Sequence, residues 1–150
     1  MYDVCDLVKF FLYIAKEEGA DVTPTKLQKV FFLLEKEGGV NLGLDFVPWV
    51  FGCYSEKLQD CVHYLVNKGE VDYDFEGEVR DPVTGAVVGH KYAYVLKVND
   101  VKKGFDPKIE EFFREWVKKS REEVLNYVYR KYPEYFDPIE VLKRFRSAHL

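Results

Sequence analysis

The feature that most constrains this chain is a change of hydrophobic period at Gly69. Before it, three stretches repeat their apolar residues at helical spacing. After it, Val71, Tyr73 and Phe75 alternate with Asp72, Asp74 and Glu76, the period of a strand that turns one face inward. A return strand through His90, Tyr92, Tyr94, Leu96 and Val98 is expected, and the intervening DPVTG supplies Asp, Pro and Gly where a turn needs them. One long, half-buried β-hairpin follows, with four carboxylates on its first strand.

The helical part is well punctuated. Val4, Leu7, Val8, Phe11, Leu12 and Ala15 form one stripe, closed by Gly19. Thr23-Pro24 gives the second helix an N-cap oxygen and a ring already fixed at helical φ. Leu27, Val30, Phe31 and Leu34 make its stripe, Phe32 and Leu33 widen it toward a second set of neighbours, and Gly38-Gly39 ends it. Residues 40–54, VNLGLDFVPWVFGCY, lack a helical period and read as a packed loop or short strand. Ser55 caps a third helix with Leu58, Cys61, Val62 and Leu65 inward. Beyond the hairpin, Asp106-Pro107 starts a fourth helix with Ile109, Phe112, Phe113 and Trp116 inward. Ser120-Arg-Glu-Glu123 has capping-box spacing, for either a fifth helix or a kinked continuation. Asp137-Pro-Ile-Glu140 repeats that box before a basic segment with Leu142 and Phe145 inward and Lys143, Arg144 and Arg146 outward.

Three helices and then a hairpin is the order of a winged helix-turn-helix unit. The expected fold is therefore α+β, mostly α, in a single domain over residues 1–150. A winged-helix-like unit occupies 1–100, and 101–150 form a C-terminal helical extension of the same domain. The apolar share of 47% and aromatic share of 17% are ample for one core at 150 residues. Every apolar run is broken within a few positions by a charge, so no membrane span is expected. The opening MYDVCDLVKFF carries two aspartates and no basic region ahead of an apolar run, so a cytoplasmic location is the expectation. Cys5, Cys53 and Cys61 are odd in number and lack CxxC spacing, which predicts buried, reduced thiols and no disulfide framework. Many Lys and Glu with only two Gln resemble heat-adapted compositions.

At TPTKLQKVFFLLEKEGG and then FVPWVFGCYSEKLQDCVHYLVNKGEV, the chain resembles the YwgA-like proteins of archaea and bacteria. More distantly it is similar to the Panacea, or SocA-like antitoxin, group. Those families pair a KLQK-type helix with an aromatic loop ending in tyrosine-glycine-proline or phenylalanine-glycine-proline, then a helix and a Gly-capped turn. The tail VLNYVYRKYPEY resembles archaeal members. The resemblance spans residues 23–70 and 124–135 and implies a fold; it brings no catalytic residue with it. The chain departs from the signature at Phe51-Gly52-Cys53, where cysteine replaces proline.

Few residues suggest chemistry. His63, His90 and His149 lie far apart, and Cys61 and His63, two residues apart on a helix, point to different sides, so no metal or cofactor is expected. Cys53 and His63 are the one conceivable nucleophile and base, but a thiol filling the place of the missing proline is the simpler reading. Walker, GxGxxG, GxSxG and HExxH patterns are absent.

Charge decides among the remaining classes. Net charge is −4, with 10 basic and 17 acidic residues in 1–101 against 12 and 9 in 102–150. A DNA-binding transcription factor would use the third helix, with Lys57, Gln59, His63 and Asn67 as readers and Lys91 on the wing. Four carboxylates on the adjoining strand would face phosphates, which repels rather than binds. The leading expectation is a non-enzymatic binding module, a regulator or antitoxin-like protein. It would use Asp72, Asp74 and Glu76 on one side and Lys143, Arg144 and Arg146 on the other, toward a protein partner or a second copy of itself. An uncharacterised enzyme is the third reading.

Overall fold

A computed structural model describes residues 2–49 and 52–136. The elements run α1 (Val4–Glu18), α2 (Pro24–Lys36), α3 (Glu56–Asn67), β1 (Val71–Arg80), β2 (Val87–Leu96), α4 (Pro107–Val117), α5 (Arg121–Lys131) and a 3₁₀ turn (Pro133–Tyr135). The fold is α+β, with five helices and an antiparallel hairpin among the described residues. The caps sit where side-chain chemistry requires. Asp3, Thr23, Ser55 and Asp106 accept from backbone N–H groups of the first helical turn. Ser120 and Glu123 exchange both bonds of a capping box. That box starts α5 as a helix separate from α4, which settles the choice left open between two helices and a kink.

An aromatic trio joins three of the helices. Phe11 of α1 lies 4.8 Å from Phe113 of α4 and 6.0 Å from Phe31 of α2, and Phe31 and Phe113 are 5.4 Å apart. Leu58, Val62 and Leu65 turn α3 onto this core. Beside β2, the Tyr94 N–H donates to the Val22 carbonyl at 2.9 Å, so the segment before α2 runs against the hairpin's base.

Helix α2 is buried all round. Nine consecutive residues from Lys26 to Leu34 are inside, two lysines and a glutamine among them. A buried ammonium is tolerable only if its donors are taken up. Lys26 Nζ donates to the carbonyls of Val117 (2.7 Å) and Asp21 (3.1 Å), the first of these at the electronegative end of α4. Lys29 Nζ donates to the Cys53 carbonyl at 2.8 Å. Gln28 makes a double bond pattern with the Ser55 backbone, accepting from its N–H at 2.8 Å and donating to its carbonyl at 3.0 Å. The polar letters of KLQK thus tie α2 to α4, to the loop before α3 and to the N-cap of α3. Burial pushes the Lys29 amine down to about 8 and the Cys53 thiol up to about 12.

Two expectations are corrected. Cys5 and Cys61 are not reduced thiols: they form a disulfide between α1 and α3, while Cys53 is free and buried. Packing of α1 on α3 sets their Cα atoms 5.2 Å apart, within bonding range, and a separation of 56 residues gives no local sign of it. The hairpin is also not half-buried along its length. Val71, Ala93, Tyr94 and Leu96 are inside, but Tyr73, Phe75 and Tyr92 are 40%, 55% and 41% exposed. A ten-residue strand spans roughly 33 Å, whereas the fifteen residues of α1, the longest helix, span roughly 22 Å, so the far half of the hairpin outruns the layer it packs on.

Candidate functional site

That overhang is the most distinctive surface of the molecule. In the register of the hairpin Tyr73 faces Tyr94, Phe75 faces Tyr92 and Glu78 faces His90. Their rings form a continuous ladder: Tyr73 to Tyr94 at 5.4 Å, Tyr73 to Tyr92 at 6.2 Å, Phe75 to Tyr92 at 5.8 Å and Phe75 to His90 at 5.6 Å. Cross-strand partners share a face, so Glu78 belongs beside His90. Nearer the turn, Val79, Val87 and Val88 are also exposed.

The edge of β1 is poorly suited to pairing with another strand. A register shift between Phe75 and Gly77 leaves Glu76 as the extra residue, and Gly77 at φ 148 takes a backbone conformation that side-chain-bearing residues rarely adopt. Bulges and charges are the usual protection of an edge. Asp72 and Asp74 are both exposed. Asp72 accepts only from the N–H of Tyr73, at 2.8 Å, and Asp74 has no ion pair or side-chain hydrogen bond among the described residues. Glu78 pairs with Arg80 at 2.5 Å.

The proposed DNA readers do not make one basic surface. Lys57 is held by Asp45 at 2.5 Å and by the Gly43 carbonyl, which leaves α3 without a free cation in its first turns. Gln59 and His63 lie together at 3.3 Å, one turn apart, and Asn67 is exposed at the helix end. Lys91 is away from α3, in a cleft of about 500 Å³ where Glu78, His90 and Tyr92 of the hairpin meet the starts of α2 and α5 at Thr25, Arg121 and Glu122. Among the protein-contact candidates, Asp72 and Asp74 are exposed on β1. The side chain of Glu76, and Lys143, Arg144 and Arg146, lie outside what the structure describes.

Other hollows offer little chemistry. An open groove of about 810 Å³ between α4 and α5 is lined by Phe112, Trp116, Tyr127, Tyr129 and Arg130. On its rim Glu37 accepts from Tyr127 at 2.8 Å, Tyr132 at 2.8 Å and Lys131 at 2.7 Å. Burial acts to raise the Glu37 carboxyl, but the bonds from Lys131, Tyr127 and Tyr132 outweigh it and hold the group below its ordinary value. Three of the four C-terminal tyrosines therefore serve packing, Tyr135 through its ring 4.7 Å from Phe32. Cys53, fully buried, and His63, exposed, make no catalytic pair. No group of three or more His, Cys, Asp or Glu capable of holding a metal occurs among the described residues. No helix among them is long and apolar enough to cross a membrane.

Fold and surface together define an α+β protein with a protruding, aromatic and acid-flanked hairpin. No family model matches the chain, and no curated protein matches it in sequence.

Proposed function

We propose that the protein is a non-enzymatic binding module, a regulator or antitoxin-like protein, that engages a protein partner through the exposed face of its hairpin. The observation that carries this reading is the ladder of Tyr73, Phe75, His90 and Tyr92, whose rings contact one another while Tyr73, Phe75 and Tyr92 stay exposed. Exposed aromatics cost solubility and are enriched where proteins meet. The helix order and the contact of the segment at Val22 with β2 support a winged-helix form, with this hairpin as the wing. The polar ties made by Lys26, Gln28 and Lys29 support the resemblance of the KLQK region to the YwgA-like and Panacea groups as a structural one.

DNA binding through α3 is the second reading, favoured only by that helix order. Residues 37–55 separate α2 from α3, against the roughly three to four residues of a helix-turn-helix turn. The acidic β1 would lie against phosphates. Two measurements separate the readings. A photoreactive amino acid at position 75 is expected to give a protein adduct in the host cell whose yield falls with Tyr92→Ala, while the same group at position 64, on exposed α3, gives none. Loss of the adduct at 75, or anisotropy binding of random duplex DNA at low salt that disappears with Lys57→Ala, would reverse the choice.

A further inference from the structure

We propose that the protein partner adds an extended strand to the outer edge of β2 at His90 to Tyr92, with an acidic residue of that strand opposite Lys91. The proposal rests on the reading of the hairpin as the binding surface and adds the form and charge of the segment it binds.

The open edge follows from the direction of the backbone bonds. In an antiparallel pair, alternate residues turn their N–H and C=O groups toward the partner strand and away from it. The Lys97 N–H donates to the Glu70 carbonyl at 2.8 Å, toward the β1 side, whereas the Tyr94 N–H donates away from β1, to the Val22 carbonyl at 2.9 Å. Tyr92 and His90 share the parity of Tyr94 in the same strand, so their N–H and C=O groups also turn outward. Among the described residues no hydrogen bond reaches those groups. Val22 therefore pairs with one position of an edge that continues open past Lys91, and such an edge is a template for a further strand. The edge of β1 is broken by the bulge at Glu76, but β2 runs through the register from His90 to Leu96 without an extra residue. The cleft of about 500 Å³ lies beside this stretch, with the starts of α2 and α5 on its far side.

Charge names the residue that the added strand presents. The two carboxylates of the cleft are answered within the chain, Glu78 by Arg80 and Glu122 by Arg121 at 3.7 Å. Lys91 is exposed and has no ion pair or side-chain hydrogen bond among the described residues. A residue of the added strand directly opposite it would have its Cβ roughly 5 Å away, within reach for a carboxylate to meet the ammonium. The neighbours of that acid turn to the other face of the sheet, where the rings of His90 and Tyr92 lie 6.3 Å apart, and apolar β-branched residues suit that position. A second copy paired edge to edge would set Lys91 against Lys91, so the acid points to a different chain.

Two measurements on the whole protein test this. Amide hydrogen exchange, read by NMR, should show His90 and Tyr92 exchanging at least about tenfold faster than Ala93 and Tyr94. Equal protection of all four overturns the open edge. The second measurement is fluorescence anisotropy with the labelled peptide acetyl-Ser-Thr-Val-Glu-Val-Thr-Ser-amide, which is expected to bind. N-methylation of its alternate residues in one phase should weaken binding about tenfold or more, and in the other phase leave it within about twofold, because only one side of an added strand faces β2. The same peptide with lysine for its glutamate should bind roughly threefold or more weakly, and Lys91→Glu should reverse that order. Lys91 is exposed, and circular dichroism and melting confirm that the variant folds. Equal binding of the two N-methylated forms, or no binding of the parent peptide, overturns strand addition. Indifference to the glutamate, or an order unchanged by Lys91→Glu, overturns the acidic class. In each case the adduct at position 75 and its fall with Tyr92→Ala judge the hairpin face separately.

Discussion

Lys29 gives the sharpest energetic test of the fold. It is 3% exposed, and its ammonium is met by one carbonyl, that of Cys53. Burial lowers its pKa from 10.5 to about 8. An unfolded chain therefore holds this proton between pH 8 and 10.5 while the folded chain has released it, so stability rises with pH across that window. The sign is that of a group with a depressed folded pKa: its contribution is full above the unfolded value and lost as pH falls through the folded one. At about 1.36 kcal/mol for each factor of ten in proton affinity, the gain approaches about 3 kcal/mol. The experiment compares urea unfolding of the protein with that of Lys29→Met, from neutral pH to beyond 10.5. A Cys53→Ala background in both keeps the buried thiol, raised to about 12, from titrating or attacking the disulfide on unfolding. Loss of the bond to the Cys53 carbonyl offsets the two curves by about 1–3 kcal/mol at every pH, so the slope and not the height is the readout. The difference should climb from pH 8 and level off above 10.5. Parallel curves would refute the argument that this ammonium is desolvated.

Reducing the Cys5–Cys61 disulfide, or replacing both cysteines by serine, should cost about 4 kcal/mol, from the chain entropy of a loop of 56 residues, read as a lower urea midpoint. Gly52→Ala should destabilise by about 1–3 kcal/mol, because Gly52 sits at φ +91 and a Cβ there would lie 2.8 Å from the Phe136 ring and 3.2 Å from Lys29 Cε; calorimetric melting checks it. Glu37, held below its ordinary 4.5 by Lys131, Tyr127 and Tyr132 against the effect of burial, should contribute stability that is lost as pH falls through its folded value. The comparison is with Glu37→Gln in acid unfolding, where the difference between the two proteins should shrink on acidification.

Much of this fold is legible in the sequence because its signals are local. Thr23-Pro24, Ser55, Asp106-Pro107 and the Ser120/Glu123 box each mark a helix start with a hydrogen bond made within one turn. The change of period at Gly69 marks the hairpin in the same way. What escapes is set by contacts distant in sequence. Nothing near Cys5 points to Cys61, and nothing near Lys26 points to the Val117 carbonyl, 91 residues on. Lys26 and Lys29 fall on the widened arc of α2, yet a lysine at such a position reads as solvated until its carbonyl acceptors are known. The exposure of Phe75 was within reach: comparing the length of the strands with that of the helices shows that the hairpin must overhang.

The disulfide and the hairpin bear on one another through α3. Cys61 fixes α3 to the first turn of α1, and α3 leads through the turn at Gly69 directly into β1. Lys9 of α1 reaches Glu70 at 3.4 Å, just before the first strand. The base of the hairpin is thus anchored by a covalent link, an ion pair and the buried Val71, Tyr94 and Leu96, while Phe75 and Tyr92 farther along it stay 55% and 41% exposed. Anchoring at the base orders the proposed binding face in advance, which lowers the entropic cost of association. It also separates two kinds of variant. Substitution at Phe75 or Tyr92 should leave unfolding within about 0.5 kcal/mol of the parent, the range of surface changes, yet abolish partner binding. Loss of the disulfide should do the reverse, lowering stability while the ladder, still paired across β1 and β2, keeps its affinity as long as the chain is folded.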